Sequence, residues 1–227
     1  MVKTRTAHFG RGLFEFLGEL KGNNNREWFN SNRARYITEV EEPMLQFIAD
    51  FGDRISKISP HFVADPRRVG GSMFRIYRDT RFSRDKSPFK VSAGSHFPHQ
   101  ARSKDRSVPS FYLHLEPGHC IGGSGIYHPD AASLKQIRDR IATKPNEWDA
   151  VLRKKLPIGG ETLTRPPAGY DPGGRFVEDL KRKDFYTMTT YTQRDVCSPD
   201  FLDSYLDASA RSAPLLQFLT KALGLAW

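Results

Sequence analysis

Cysteine is scarce in this chain. Cys120 and Cys197 are the only two in 227 residues, and they lie far apart, which excludes both a disulfide framework and a sulfur-ligated metal motif. Long apolar runs are missing too: nothing approaches the ~18 consecutive apolar residues of a membrane span, and Met-Val-Lys-Thr-Arg-Thr-Ala-His has no apolar stretch behind its charges. A soluble, cytoplasmic protein with no membrane partner is the expectation. Lysine runs and a basic tail are absent, which argues against a nucleic-acid-binding arm. Gly122-Gly123-Ser124-Gly125 lacks the Gly-Lys-Ser/Thr ending of a phosphate loop. Neither a Gly-x-Ser-x-Gly elbow nor a His-Glu-x-x-His pair occurs. No internal repeat or low-complexity segment is found.

What the chain has in quantity is aromatic side chains and positive charge. Hydrophobic residues make up 38% and aromatics 12%, enough for a sizeable core and too aromatic for a disordered chain. One domain spanning residues 1–227 is expected. The net charge of +9 is unevenly spread: from Arg67 to Lys90 six Arg and two Lys face only Asp79 and Asp85. Two acids cannot neutralise eight cations, so the surplus must meet water, acids elsewhere in the fold, or an anionic ligand.

Periodicity gives an α+β reading, with helices before and after a central, mainly antiparallel sheet that they pack on one face. Leu13 to Leu20 reads as a short helix closed by Gly22 in the left-handed position. A capping box at Asn24 and Glu27 then opens a long helix through Ile55, interrupted at Pro43. From Gly70 the period changes to two, and strands are expected over 73–77, 89–96 and 111–116. Pro117-Gly118 has the chemistry of a type II turn, joining Ser110–Glu116 to Cys120–Tyr127 in a hairpin. Residues 100–108 read as a polar loop or flap. Helices follow over about 131–142 and 148–154, then an irregular Pro/Gly-rich stretch to Gly174. A helix over 175–181, a strand over 185–191 and a closing helix from Ser198 or Pro199 to Leu223 complete the chain.

The alternation places Arg75, Tyr77, Lys90, Ser92, His96, Tyr112, His114 and Glu116 on one polar face of the sheet. Solvent-facing strand residues are commonly Lys, Glu and Thr, so Arg, Tyr and His together resemble a site. The expected anion pocket is formed by Arg75, Arg78, Arg81, Lys86 and Lys90, with Arg33 from the long helix and Tyr112 and His114 nearby. Arginine's planar fork holds phosphate or carboxylate through two parallel hydrogen bonds. In an enzyme acting on a small phosphorylated or acidic metabolite, His114 would carry the proton. Two other uses of these residues stand beside it: a nucleic-acid-binding module stacking bases on Tyr77, Phe82 and Phe89, and a scaffold whose Arg/Asp network is structural. No metal site is expected, since His96, His99, His114, His119 and His128 follow no ligand motif. The sequence leaves the identity of any cofactor open.

Several long motifs resemble a known family. They are Asn23-Asn-Asn-Arg-Glu-Trp-Phe29, Asn32-Arg33, and the run from Gly70-Gly-Ser72 through Phe74-Arg-Ile-Tyr-Arg-Asp-Thr-Arg-Phe82 to Asp85-Lys-Ser-Pro-Phe-Lys90. Phe111-Tyr-Leu-His114, Gly125-Ile-Tyr-His-Pro129 and Asp179-Leu-Lys-Arg-Lys-Asp-Phe185 extend the match over nearly the whole chain. The family is a widespread bacterial and fungal one, a domain of unknown function, DUF2461. The resemblance implies one α+β domain and brings no catalytic residues with it.

Overall fold

The computed structural model describes residues 6–103 and 106–227. α1 (Arg11–Gly22) buries Leu13, Phe14, Phe16, Leu17 and Leu20, one stripe of a helix. Gly22 lies inside the helix, and Asn23 ends it with an extended φ of −130°, so the left-handed glycine cap is not used. The cap of α2 (Arg26–Ser31) is Asn25, whose side chain accepts the Trp28 N–H at 2.9 Å. Asn24, expected in that role, instead clamps a distant strand of chain. Its side-chain amide donates to the Phe89 carbonyl at 3.0 Å, and its oxygen accepts the Phe89 N–H at 3.1 Å.

The expected long helix is divided into α2, α3 (Arg33–Arg35), a π-helical turn (Tyr36–Glu41) and α4 (Glu42–Ile55). Pro43 sits in the first turn of α4 and has no N–H to give. Just before it the helix widens, and the Glu42 N–H reaches back to Ile37.

Four strands form an antiparallel sheet in chain order: β1 (Ala93–Pro98), β2 (Ser110–Glu116), β3 (His119–Ile126) and, later, β4 (Phe185–Tyr191). The β2–β3 turn is Pro117-Gly118, with Gly118 at φ +82°, as a type II turn requires. The expected strand over 73–77 does not form. Only isolated bridges tie Met73 to Ser95 and Tyr77 to Phe89. Its hydrogen bonds are divided: Phe74 donates to Gly94, but Arg78 donates to Pro88 and Lys90 to Ile76. A segment shared between two partners cannot keep a ladder going, and the alternation fails with it, leaving Ile76 buried and Phe74 41% exposed.

The remaining helices are α5 (Ala131–Thr143), α6 (Pro145–Leu152), α7 (Val177–Leu180), α8 (Gln193–Val196) and α9 (Phe201–Ala222). α7 and α9 are shorter than expected at their N-terminal ends, and the chain before α9 forms α8 on a Thr192/Asp195 capping box. No helix among the described residues is long and apolar enough to cross a membrane. α4 and α9 cover the sheet face that carries Phe97, Phe111, Leu113, Leu115 and Cys120. Phe51 meets Phe97 at 4.5 Å and Tyr205 at 5.1 Å between ring centroids. The far end of α9 joins a second cluster around Trp148, whose indole N–H donates to buried Asp179 at 2.9 Å.

Two adjacent glycines of β3 face opposite ways. A Cβ on Gly122 would lie 2.8 Å from the Tyr205 ring, whereas one on Gly123 would find its nearest atom at 3.6 Å. Gly122→Ala should therefore cost about 1–3 kcal/mol through overpacking, while Gly123→Ala stays within about 0.5 kcal/mol of the parent. Urea unfolding of both variants checks this; equal losses would contradict the assignment of faces.

Candidate functional site

The sheet register decides which side chains share the outer face. His96 pairs with Tyr112, Tyr112 with Gly123, Glu116 with His119, Gly123 with Met188 and Gly125 with Tyr186. All of these point away from α4 and α9, because side chains alternate along a strand. Between them opens a cleft of about 750 Å³, within the usual size of small-molecule sites. Gly123 and Gly125 floor it, Tyr186, Met188, Ile121 and Val108 give it apolar walls, and Arg102 and Arg106 overhang it from the loop between β1 and β2.

Polar groups converge at the β2 side. The Tyr112 hydroxyl lies 3.2 Å from His114 Nδ1, and His114 Nε2 lies 3.3 Å from Glu116 Oε2. The His119 ring stands 5.3 Å from that of His114. Donor atoms of His114, Glu116 and His119 all fall within 4.8 Å of one another. Farther along, Arg102 approaches His96 Nδ1 at 3.5 Å, and the Phe74 ring stacks with that of His96 at 6.2 Å between centroids.

Burial sets the charge state. It pulls His96 down to about 4, helped by the Arg102 charge. His114 is lowered by burial, against the opposing pull of Glu116, and Tyr112 is raised by burial. Near neutrality His96 and His114 are thus uncharged, with lone pairs that can accept a proton or bind a metal. Asp130 at the rim is occupied: it accepts from the Ser133 hydroxyl at 2.7 Å, from Ser133 N at 2.8 Å and from Ser107 N at 3.0 Å, which hold its carboxyl well below the usual range.

Of the residues expected from the sequence, the structure brings Tyr112 and His114 into the cleft together with His96, and Glu116 stands behind His114 without lining it. Arg33, Arg75, Arg78, Arg81, Lys86 and Lys90 do not line it. Arg78 pairs with Asp85 and Arg81 with Asp79, while the Lys86 ammonium donates to the Thr80 carbonyl at 2.9 Å. Lys90 sits 5.3 Å above the Phe74 ring, its pKa lowered by burial and then by Arg75. Arg33 and Arg75 are exposed. Tyr77, expected on the polar face, packs against Phe29 and Phe89 instead. His99 turns away and binds the Ala226 carbonyl at 2.9 Å.

His119, Arg102, Arg106, Tyr186 and Met188 were not expected in the site. For His119 the signal was present: residues 114 and 116 share a face, and a Pro-Gly turn sets residue 119 opposite 116. The arginines come from a loop without periodicity, and β4 is distant in sequence.

His96 generates a pH prediction. Its native pKa of about 4 lies below the value of 6.5 expected when unfolded, so the unfolded chain binds more protons between them. Stability from this group is complete above about pH 6.5, falls as pH drops through the window, and levels off below about 4. His96→Gln should remove that component. The variant's melting temperature relative to the parent should improve between about pH 7 and pH 4.5; a constant gap would refute the buried neutral imidazole.

The family model described as "Conserved hypothetical protein (DUF2461)" matches residues 12–218. That span contains the whole sheet, the cleft and the cationic loop. No match is found among curated proteins. With nine-tenths of its length matched, the chain belongs to the DUF2461 family.

Proposed function

We propose that the outer-face cleft binds a small, partly apolar molecule bearing a carboxylate or phosphate. The observation that supports this most is the joining of an aromatic-walled, glycine-floored cavity to the guanidinium of Arg102 at its rim. Glycines leave room for a planar body to lie on the strands, and Tyr112, Tyr186 and Met188 supply apolar contact. Arg102, exposed and beside an uncharged imidazole, offers its fork to an acid. His114, between Tyr112 and Glu116, is the group best placed to act on a bound molecule. The anion-binding role passes from the cationic loop to this side of the sheet, because Arg78 and Arg81 already hold acids.

The nucleic-acid reading has less support. Of its three stacking candidates Phe89 is buried and Tyr77 leans on the core, which leaves Phe82, 95% exposed, as the most available ring.

Thermal-shift titration with aromatic and aliphatic carboxylates and with phosphate monoesters tests the proposal. A true ligand at 100 times its dissociation constant should add about 2.7 kcal/mol of stability. Arg102→Ala should weaken it by about 10- to 100-fold, the worth of a charged hydrogen bond, and Gly123→Leu should abolish it by filling the floor. Arg78→Ala should leave it unchanged. If no acid stabilises the protein, or the effect survives Gly123→Leu, the cleft is not the site.

A further inference from the structure

We propose that His114, Glu116 and His119 bind a divalent transition-metal ion at the hairpin end of the cleft. Nothing in the sequence motifs announces such a site, and the proposal rests on donor geometry. His114 Nε2 and Glu116 Oε2 are 3.3 Å apart. That is about the edge of a tetrahedron whose bonds are ~2.0–2.1 Å long. The third donor, on His119, completes a set within 4.8 Å. It belongs to an exposed ring at the start of β3 that can close the distance by side-chain rotation alone. The hairpin makes this arrangement hard to avoid: Glu116 and His119 are directly opposed across the turn, and His114 stands two residues along on the same face.

The surroundings suit a ligand set better than a lone hydrogen-bonded pair. Ligating histidines generally fix their other nitrogen on a hydrogen-bond partner. Here His114 Nδ1 faces the Tyr112 hydroxyl at 3.2 Å, so an Nδ1–H donated to that oxygen leaves the Nε2 lone pair directed at Glu116. The His119 ring forms no hydrogen bond among the described residues, although it packs beside His114. Two imidazoles and one carboxylate favour Zn²⁺, Fe²⁺, Co²⁺ or Ni²⁺ over Mg²⁺ or Ca²⁺, which prefer oxygen alone. Three protein ligands leave a coordination position open, and His114 and His119 both line the cleft. His114 is then a metal ligand, and an acid held by Arg102 would reach toward the open position. The metal site needs only its three donors and does not depend on the acid reading.

Co²⁺ is the probe of choice, since it reports binding by calorimetry and geometry by its visible spectrum. Protein dialysed against chelator should bind one equivalent with a micromolar or tighter dissociation constant and develop the absorption of a four- or five-coordinate ion. His119→Ala, at an exposed position, should weaken binding by at least about 100-fold, and Glu116→Gln comparably, given that even outer-shell changes cost 10- to 100-fold. His128→Ala and His61→Ala should bind as the parent does. Failure of the parent to bind, or equal binding by His119→Ala, overturns the site, as does loss of binding in either surface-histidine control. Arg102→Ala should leave Co²⁺ affinity intact while weakening acid binding by the metal-free protein about 10- to 100-fold, so the two readings fail separately.

Discussion

The register of the β2–β3 hairpin governs the rest of the molecule. Alternation along a strand is strict, so the pairing that sends Phe111, Leu113 and Leu115 into the core also sends Tyr112, His114 and Glu116 outward. A slip of one residue would bury a carboxylate and two imidazole or phenol groups while exposing two leucines and a phenylalanine. Each fully buried apolar side chain of that size is worth about 1.5–3 kcal/mol. The core thus enforces the geometry of the outer face, and the Pro117-Gly118 turn fixes where the pairing starts.

β3 serves both faces by having almost no side chains over four consecutive residues. On the inner side Gly122 lets the Tyr205 ring lie against the strand, and from there the Tyr205 hydroxyl donates to the Tyr112 carbonyl at 3.0 Å. That bond links α9 to the backbone of the very residue whose side chain stands in the cleft. On the outer side Gly123 and Gly125 keep the floor low. Gly125 has a further constraint: at φ +141° its missing Cβ would strike the Phe185 carbonyl at 2.2 Å, so β4 can approach only a glycine there. The glycine-rich sequence that superficially resembles a phosphate loop is a thin strand between a tyrosine and a cavity.

Much of the fold was legible in the sequence because local period and turn chemistry carry it. The hairpin, β4, α5 and the apolar stripe of α9 all follow from spacing and from Pro-Gly punctuation. That Tyr112 and His114 share the outer face was legible for the same reason. The cationic segment misled through its arithmetic: counting charges over Arg67 to Lys90 treats them as one pool, whereas each acid in the structure holds a particular arginine. Asp79 binds Arg81 two residues on, and Asp85 reaches back seven to Arg78. Loops that close on themselves in this way spend their charge locally, and exposed pairs of this kind add little stability. Arg102, from a segment with neither period nor motif, was beyond what spacing can locate.

Electrostatics is the reason the proposed acid site turns on one arginine of the cleft and not on the six of the neighbouring surface. Exposed charges more than a Debye length apart, about 8–10 Å, are screened by salt. A cation beside a half-enclosed apolar cavity keeps more of its field, because the low-dielectric walls displace water. Burial, with the Arg102 charge adding to it, keeps His96 neutral. At the hairpin end, just behind the cleft lining, the Glu116 carboxylate lies beside His114, so the charge there is opposite in sign to that of Arg102. A divalent ion on His114, Glu116 and His119 would reverse the sign of that end and turn a dipolar cleft into one positive at both ends. An acid would then be drawn from both sides, and a diacid or an acid with a second donor atom would gain most. With both proposed sites in place, the same outer-face geometry would favour different ligands in the metal-free and metal-bound protein, a difference set by one hairpin and its register.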